Sequence, residues 1–152
     1  MIEAYLPLHP DGFKDIVVGD LERLFVKPFG NVGAKRAELC KKFKEWLSEV
    51  KSIGAPLTIW VDGSFVTQKS EPEDIDVVCI MESSHLRNLS LEYKNRLSEL
   101  FKTQEIKLRY GCHVFPVIAG NSKQYTYWLR HFGYNRDKSP KGIFRIFLGG
   151  SN

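Results

Sequence analysis

Two aspartates stand two residues apart where an apolar segment begins. They are Asp74 and Asp76, and Ile75 to Met81 reads as a short buried strand. Because alternate residues of a strand project from one face, both carboxylates should leave the same side of a sheet. Adjacent carboxylates require a compensating cation, and an oxygen ligand set favours Mg²⁺, with Mn²⁺ as the alternative. We therefore predict a divalent-metal site held by Asp74 and Asp76.

A Gly-Ser pair ends the preceding apolar segment, which runs from Leu57 to Val61. Gly63 permits a sharp turn and the close approach of another group. Ser64 would open a short helix whose free amides, together with its hydroxyl, suit a phosphate. Metals held by carboxylates usually complete their coordination with substrate phosphates. The conjunction predicts transfer of a group from a nucleoside triphosphate such as ATP, although each motif alone is more often a structural turn or cap.

These residues resemble the signature of the polymerase-beta-like nucleotidyltransferase superfamily: an apolar strand, Gly-Ser, a short spacer, then Asp-x-Asp in a second apolar strand. The chain more closely resembles a family of bacterial nucleotidyltransferase-like proteins. The resemblance implies the fold, Mg²⁺ dependence and transfer of a nucleotidyl group to a hydroxyl on RNA, protein or a small molecule. It also suggests a toxin–antitoxin or phage-defence setting. The stretches that carry it are Trp60 to Thr67, Glu71 to Asp76, Phe132 to Arg136 and Pro140 to Ile143.

The resemblance also implies a third carboxylate on the next central strand, where this sequence has His113. A neutral imidazole acts as a base or as a metal ligand, so His113 is a candidate catalytic residue. Alternatively, the site is incomplete, and the domain binds a nucleotide, an RNA or a partner protein without turnover. Histidine in an apolar strand is also commonly a core residue. A metal-dependent glycosyltransferase is a third interpretation, since that class also uses Asp-x-Asp.

Three cations are candidate phosphate contacts: Lys69, Arg136 and Lys141. The C-terminal stretch from Asn121 mixes basic residues with aromatic ones, a combination that suits RNA or single-stranded nucleic acid. However, four of its apolar residues have the spacing of a helix packed on a core, which is the interpretation we favour for those side chains. They are Tyr125, Trp128, Leu129 and Phe132.

The elements that must position these residues alternate between helix and strand, which predicts an α/β (α+β) domain with a central mixed sheet flanked by helices. Residues 1–33 should form an N-terminal arm with a short helix near Val18 to Leu24 and no separate domain. The further helices and strands expected are a helix from Ala34 to Ile53, strands over Leu57 to Val61 and Ile75 to Met81, a helix from Leu86 to Lys102, a strand over Val114 to Ile118, a helix from Lys123 to Phe132 and a strand over Ile143 to Leu148.

Composition sets the remaining expectations. The 152 residues suit one domain, and the net charge of +4 is compatible with a phosphate-bearing partner without requiring one. The three cysteines lack disulfide or zinc-ligand spacing, so a reducing cytoplasm is expected. The N-terminus does not resemble a signal peptide, and no apolar stretch approaches the roughly 20 residues that a membrane span requires.

Overall fold

The computed structural model describes residues 5–135 and 137–149. Strands alternate with helices as the apolar periodicity predicts. The strands are β1 (Phe13–Asp15), β2 (Leu57–Asp62), β3 (Ile75–Met81), β4 (Cys112–Ile118) and β5 (Ile143–Leu148). The α-helices are α1 (Leu21–Phe25), α2 (Ala34–Lys51), α3 (Ser83–Arg87), α4 (Leu91–Glu99), α5 (Thr103–Tyr110) and α6 (Ser122–Phe132), and 3₁₀-helices cover Val18–Asp20, Lys27–Val32 and Ser64–Val66.

The five strands form one mixed sheet in the order β1-β5-β2-β3-β4. Strand β2 is antiparallel to both β3 and β5, whereas β4 runs parallel to β3 and β1 runs parallel to β5. A parallel neighbour requires a crossover connection, and α3, α4 and α5 supply it between β3 and β4. The expected mixed sheet flanked by helices is therefore present, and its assignment to the nucleotidyltransferase type remains a prediction.

Helices cover the two faces of the sheet unequally. One face packs against α1, α2, α4 and α5 around a large apolar core that includes Phe43, Trp46 and Val77. The other face meets only α6 among the α-helices, in a smaller cluster around Trp60 and Phe132. This thinner cover leaves the end of the second face open, and the candidate site lies there.

The N-terminal segment is more structured than an irregular arm. It contributes β1, a fifth strand that the sequence analysis did not predict, and β1 pairs with β5 from Phe13↔Ile143 to Asp15↔Arg145. Helix α1 matches the expected short helix, and its Leu21 and Phe25 are fully buried in the larger core. A three-residue edge strand is too short to show the alternation by which strands are recognised.

The single helix predicted from Leu86 to Lys102 is wrong. The chain forms α3 and α4 there, with Ser90 capping α4 through a hydrogen bond from the Tyr93 amide to its hydroxyl. Helix α5 follows and was not predicted; it ends at Gly111, whose φ of 69° is left-handed. Asn88 and Ser90 are turn and cap formers, so they supplied a boundary signal that apolar spacing alone concealed.

Across residues 5–135 and 137–149, no helix is both long and apolar enough to cross a membrane.

Candidate functional site

Three polar residues lie side by side across the ends of three strands. Asp62 on β2 is paired with Asp76 on β3, which is paired in turn with His113 on β4. Directly paired residues of neighbouring strands share one face, so the three side chains leave the sheet on the α6 side. The sheet register therefore gathers a polar row at the open end of that face.

Asp74, Asp76 and His113 converge closely enough to share a cation. Each offers one ligand atom, and these atoms all lie within 4.8 Å of one another. The Nδ1 atom of His113 is 4.0 Å from Oδ1 of Asp76. Burial raises the pKa of Asp76, and the neighbouring Asp74 carboxylate raises it further. The carboxylates of Asp74 and Asp76 thus repel each other, and a divalent ion bound between them would relieve that repulsion.

A lysine already compensates part of this negative charge. Nζ of Lys107, on α5, lies 3.2 Å from Oδ2 of Asp74, and both side chains are partly exposed. An ion pair of this exposure contributes little to stability. Lys107 can therefore withdraw from Asp74 at a small energetic penalty. For Asp76, the one ion-pair partner among residues 5–135 and 137–149 is His113.

Gly63 brings the backbone of the Gly-Ser turn against the carboxylate of Asp76. Its φ is 82°, and a Cβ built there would lie 2.6 Å from Oδ2 of Asp76. Both predicted reasons for glycine, a turn and a close approach, therefore apply. The amide of Gly63 donates to Oδ1 of Asp62 at 2.8 Å, and the amide of Thr67 donates to the Ser64 carbonyl at 3.1 Å. These two hydrogen bonds therefore stabilise the turn.

Asp62 forms a buried ion pair beside Asp74, Asp76 and His113, which we call the metal-type cluster. Its side chain is inaccessible to solvent, and Nζ of Lys141 lies 3.0 Å from Oδ1. Its Oδ2 is buried and has no hydrogen-bond partner among the described residues. Burial raises the pKa of Asp62 to about 7, against the opposing effect of Lys141. Lys141 thus ties the C-terminal loop to the end of β2, with its ammonium engaged by Asp62.

Arg36 organises the loop that follows the Gly-Ser turn. It is fully buried on α2, and its guanidinium donates to the carbonyls of Phe65 (2.7 Å), Thr67 (2.8 Å) and Lys69 (2.6 Å). Further contacts reach Phe25 and Ser64. Burial lowers the pKa of Arg36 to about 10, so it remains charged at neutral pH. One side chain thereby fixes the path of the backbone from Ser64 to Lys69.

A cleft of about 440 Å³ contains most of the residues singled out from the sequence. Gly63, Ser64, Lys69, Asp74, Asp76 and Lys141 line it. His113 contributes to the metal-type cluster without lining the cleft. Arg136 lies outside the described residues. The remaining lining residues are Tyr5, Thr67, His131, Phe132, Tyr134 and Asn135.

Sequence reasoning missed several residues that shape the site. Arg36 occupies the apolar stripe of α2, three residues before Leu39, and a charge on such a stripe was the available signal. Asp62 ends a buried strand, and an acid there was a similar signal. Lys107 and His131 gave no such signal, because the crossover brings Lys107 to Asp74 and the packing of α6 brings His131 to the cleft.

The comparisons with known proteins identify a family without adding a function. No curated protein and no solved structure matches this chain significantly. A family model described as a family of unknown function, DUF6932, matches residues 4–147. Since this match takes in nearly the whole sequence, the chain belongs to the DUF6932 family of unknown function.

Proposed function

We propose that this protein is a Mg²⁺-dependent nucleotidyltransferase that moves a nucleotidyl group from a nucleoside triphosphate to a hydroxyl acceptor. One observation carries the proposal. The potential ligand atoms of Asp74, Asp76 and His113 lie within 4.8 Å of one another, and the two aspartates line the same cleft as Gly63 and Ser64. A phosphate-sized turn beside paired carboxylates is the arrangement that triphosphate chemistry requires.

The donor set fits a hard divalent ion held mainly by carboxylates. Asp74 and Asp76 would hold it, with His113 as the third ligand or as the base. Once bound, the ion would polarise the phosphoryl oxygens and neutralise developing charge. The nitrogen of His113 is a poorer partner for Mg²⁺ than an oxygen, so Mn²⁺ is the natural alternative to compare.

The residues of the chain have distinct roles in this proposal. Ser64 and Lys69 bind the triphosphate, with the Ser64 hydroxyl as a donor and Lys69 as a positive charge. Arg36 holds the carbonyls of the loop between them, so it positions both without contacting substrate. Lys141 keeps Asp62 neutralised and closes the cleft from the C-terminal side. Without a bound cation, the carboxylates of Asp74 and Asp76 would repel the negatively charged triphosphate.

The proposed reaction is a single in-line displacement at the α-phosphorus. The acceptor hydroxyl oxygen forms a bond to that phosphorus, and the bond from phosphorus to the bridging oxygen of the β-phosphate breaks. Pyrophosphate leaves with the electron pair of that bond. The hydroxyl proton passes to His113 where the imidazole is free, or to solvent where it is not.

A binding module without turnover is the second candidate, and the identity of residue 113 favours it. The strand that would supply a third carboxylate contributes an imidazole, and Lys107 pairs with Asp74 where cation binding is expected. In this role the domain would retain a nucleotide or a partner, for example as half of a toxin–antitoxin or defence pair. Co-purification of a partner that persists in Asp76→Ala would support it.

The deciding experiment supplies α-³²P-labelled triphosphates, Mg²⁺ or Mn²⁺, and mixed acceptors, and follows transfer of label. We expect labelling by the wild-type protein and near-complete loss in Asp76→Ala and Asp76→Asn. Glu92→Gln is the matched control, because Glu92 is an exposed carboxylate on α4, against the opposite face of the sheet. Labelling that survives in both Asp76 variants would overturn the assignment.

A further inference from the structure

A second depression adjoins the cleft on the outer surface of α6. It is a shallow groove of about 600 Å³ lined by Ser122, Lys123, Thr126, Tyr127, Arg130 and His131. His131 also lines the cleft that contains Asp74 and Asp76. The groove and the cleft therefore meet at this residue, so a molecule lying in the groove would reach the cleft past His131.

The groove uses the side of α6 that the core leaves free. Tyr125, Trp128, Leu129 and Phe132 face the sheet, as their spacing predicted: Tyr125 meets Trp60, and the other three pack in the smaller core. Lys123, Tyr127 and Arg130 recur at helical spacing on the opposite side. Tyr127 is 59% exposed, an unusual placement for a large ring that has no packing role in the core.

Aromatic rings connect the metal-type cluster to this groove. The ring centroids of His113 and Phe115 are 4.2 Å apart, and those of Phe115 and Trp128 are 4.3 Å apart. The ring centroid of Trp128 is in turn 4.8 Å from that of Tyr127. Tyr127 is parallel to His131, with an interplanar angle of 3°. Contacts between rings thus run from His113 through the smaller core to Tyr127 and His131 on the solvent side of α6.

The charged side chains that line this groove, Lys123 and Arg130, are both basic. No Asp or Glu is among its lining residues. Among the described residues, neither Lys123 nor Arg130 has an ion-pair partner. Two unpaired cations beside an exposed ring match a polymer of phosphates with accessible planar bases.

We propose that this α6 groove binds single-stranded nucleic acid and delivers its terminal hydroxyl to the cleft as the acceptor. Lys123 and Arg130 contact the phosphates, while Tyr127 and His131 stack with unpaired bases. A duplex hides its base faces, so the exposed ring selects a single strand. The assignment of the strand as acceptor rests on the proposed nucleotidyl transfer, whereas its binding does not.

Binding is measured by fluorescence anisotropy in EDTA, without triphosphate, so that it is independent of the metal site. The probes are a fluorescent 12-nucleotide oligouridylate, the matching oligodeoxythymidylate and a 12-base-pair duplex. We expect the wild type to bind at least one single strand more tightly than the duplex. Tyr127→Ala should weaken binding at least about fivefold. Arg130→Gln should weaken it and lower the slope of log affinity against log salt by about one.

Matched controls lie across the sheet on α3 and α4, which pack on the other face. Tyr93→Ala and Arg87→Gln remove an exposed tyrosine and an exposed arginine outside the groove and should bind as the wild type does. Preference for one of the two single strands would show whether the groove favours RNA or DNA. The proposal would be overturned if no single strand binds at low salt or if the duplex binds more tightly. It would also be overturned if Tyr127→Ala and Arg130→Gln both bind with wild-type affinity.

The two proposals fail separately. If oligonucleotide binding is present but label never transfers from the triphosphate, the groove stands and nucleotidyl transfer fails. If label transfers to another acceptor while no oligonucleotide binds, the groove fails and nucleotidyl transfer stands. Asp76→Asn should keep the oligonucleotide affinity of the wild type, since the groove does not include that carboxylate.

Discussion

Residue 63 and Asp76 are in such close contact that only glycine fits between the turn and the carboxylate. A Cβ on residue 63 would lie 2.6 Å from Oδ2 of Asp76 and 3.0 Å from its Cγ. The contact joins the two motifs recognised in the sequence, the Gly-Ser pair and the Asp-x-Asp pair. The positions of the two motifs are therefore linked, because movement of the turn would displace the Asp76 carboxylate directly.

Gly63→Ala should displace the Asp76 carboxylate and weaken divalent-ion binding. The added methyl group overlaps Oδ2, and the left-handed backbone adds roughly 1–3 kcal/mol of strain. We expect lower affinity for Mn²⁺, followed by the electron paramagnetic resonance signal of the free ion, together with a lower urea midpoint.

The control for this change is Gly54→Ala. Gly54 has a similar φ of 87°, but a Cβ there meets nothing within 4 Å. It should therefore reproduce the loss of stability and leave Mn²⁺ affinity unchanged. Equal Mn²⁺ affinity in the two variants would show that contact with Asp76 is unimportant.

Arg36→Lys should destabilise the loop from Ser64 to Lys69 in spite of retaining the charge. The guanidinium serves five carbonyls, and a lysine has three donors on a single nitrogen. Buried carbonyls left without a donor should lower the free energy of unfolding by at least about 2 kcal/mol. Urea denaturation measures it.

Arg23→Lys is the matched exposed change, since Arg23 forms a surface ion pair with Asp20. It should alter the free energy of unfolding by less than about 0.5 kcal/mol. If both arginine variants lose the same small amount, Arg36 does not organise the loop.

Local sequence patterns predicted much of the core of this fold. The apolar runs located β2, β3, β4 and β5 to within two residues at each end, and α2 and α6 to a similar accuracy. Asp74 and Asp76 were predicted to share a face, and the structure places them within one cluster with His113. Short-range spacing suffices here because strand alternation and helix periodicity fix side-chain direction.

Features that depend on distant pairing were not predictable in the same way. β1 exists because Phe13–Asp15 aligns with β5, some 130 residues later, and nothing local encodes that pairing. Lys107 reaches Asp74 only through the crossover that places α5 beside β4. The buried Asp62–Lys141 pair likewise joins the end of β2 to the C-terminal loop, so no spacing rule could have connected them.

Lys141→Met should destabilise the protein more as pH rises. Burial raises the folded-state pKa of Asp62 to about 7, above the unfolded value of about 3.8. The folded state therefore holds the Asp62 proton more tightly, and stability falls as pH rises from 3.8 toward the folded pKa. Removing the Lys141 charge raises that pKa further. The difference between variant and wild type should grow by up to about 1.4 kcal/mol per pH unit above pH 7.

Urea denaturation at pH 5, 7 and 9 measures this difference. The double variant Asp62→Asn/Lys141→Met lacks the titrating carboxyl, so its deficit relative to the wild type should not widen in the same way above pH 7. A Lys141→Met deficit that is identical at pH 5 and pH 9 would show that Lys141 does not affect the pKa of Asp62 in the folded protein.

His113→Asp should convert the cluster into three carboxylates and shift its preference toward Mg²⁺. The potential ligand atoms already lie within 4.8 Å of one another, so the shorter side chain needs only a small adjustment of β4. One additional negative charge about 4 Å from a cation contributes a few kcal/mol at an effective dielectric constant of about 20, so we expect Mg²⁺ affinity to increase at least about tenfold. His113→Asn is the control, because it shortens the side chain without adding charge, and calorimetric titration with Mg²⁺ and with Mn²⁺ separates the two effects.

If transfer of label from the triphosphate also increases in His113→Asp, the histidine limits turnover in the natural sequence. If Mg²⁺ affinity increases while labelling disappears, the imidazole serves as the base. If His113→Asp and His113→Asn bind Mg²⁺ equally well, residue 113 does not contact the ion.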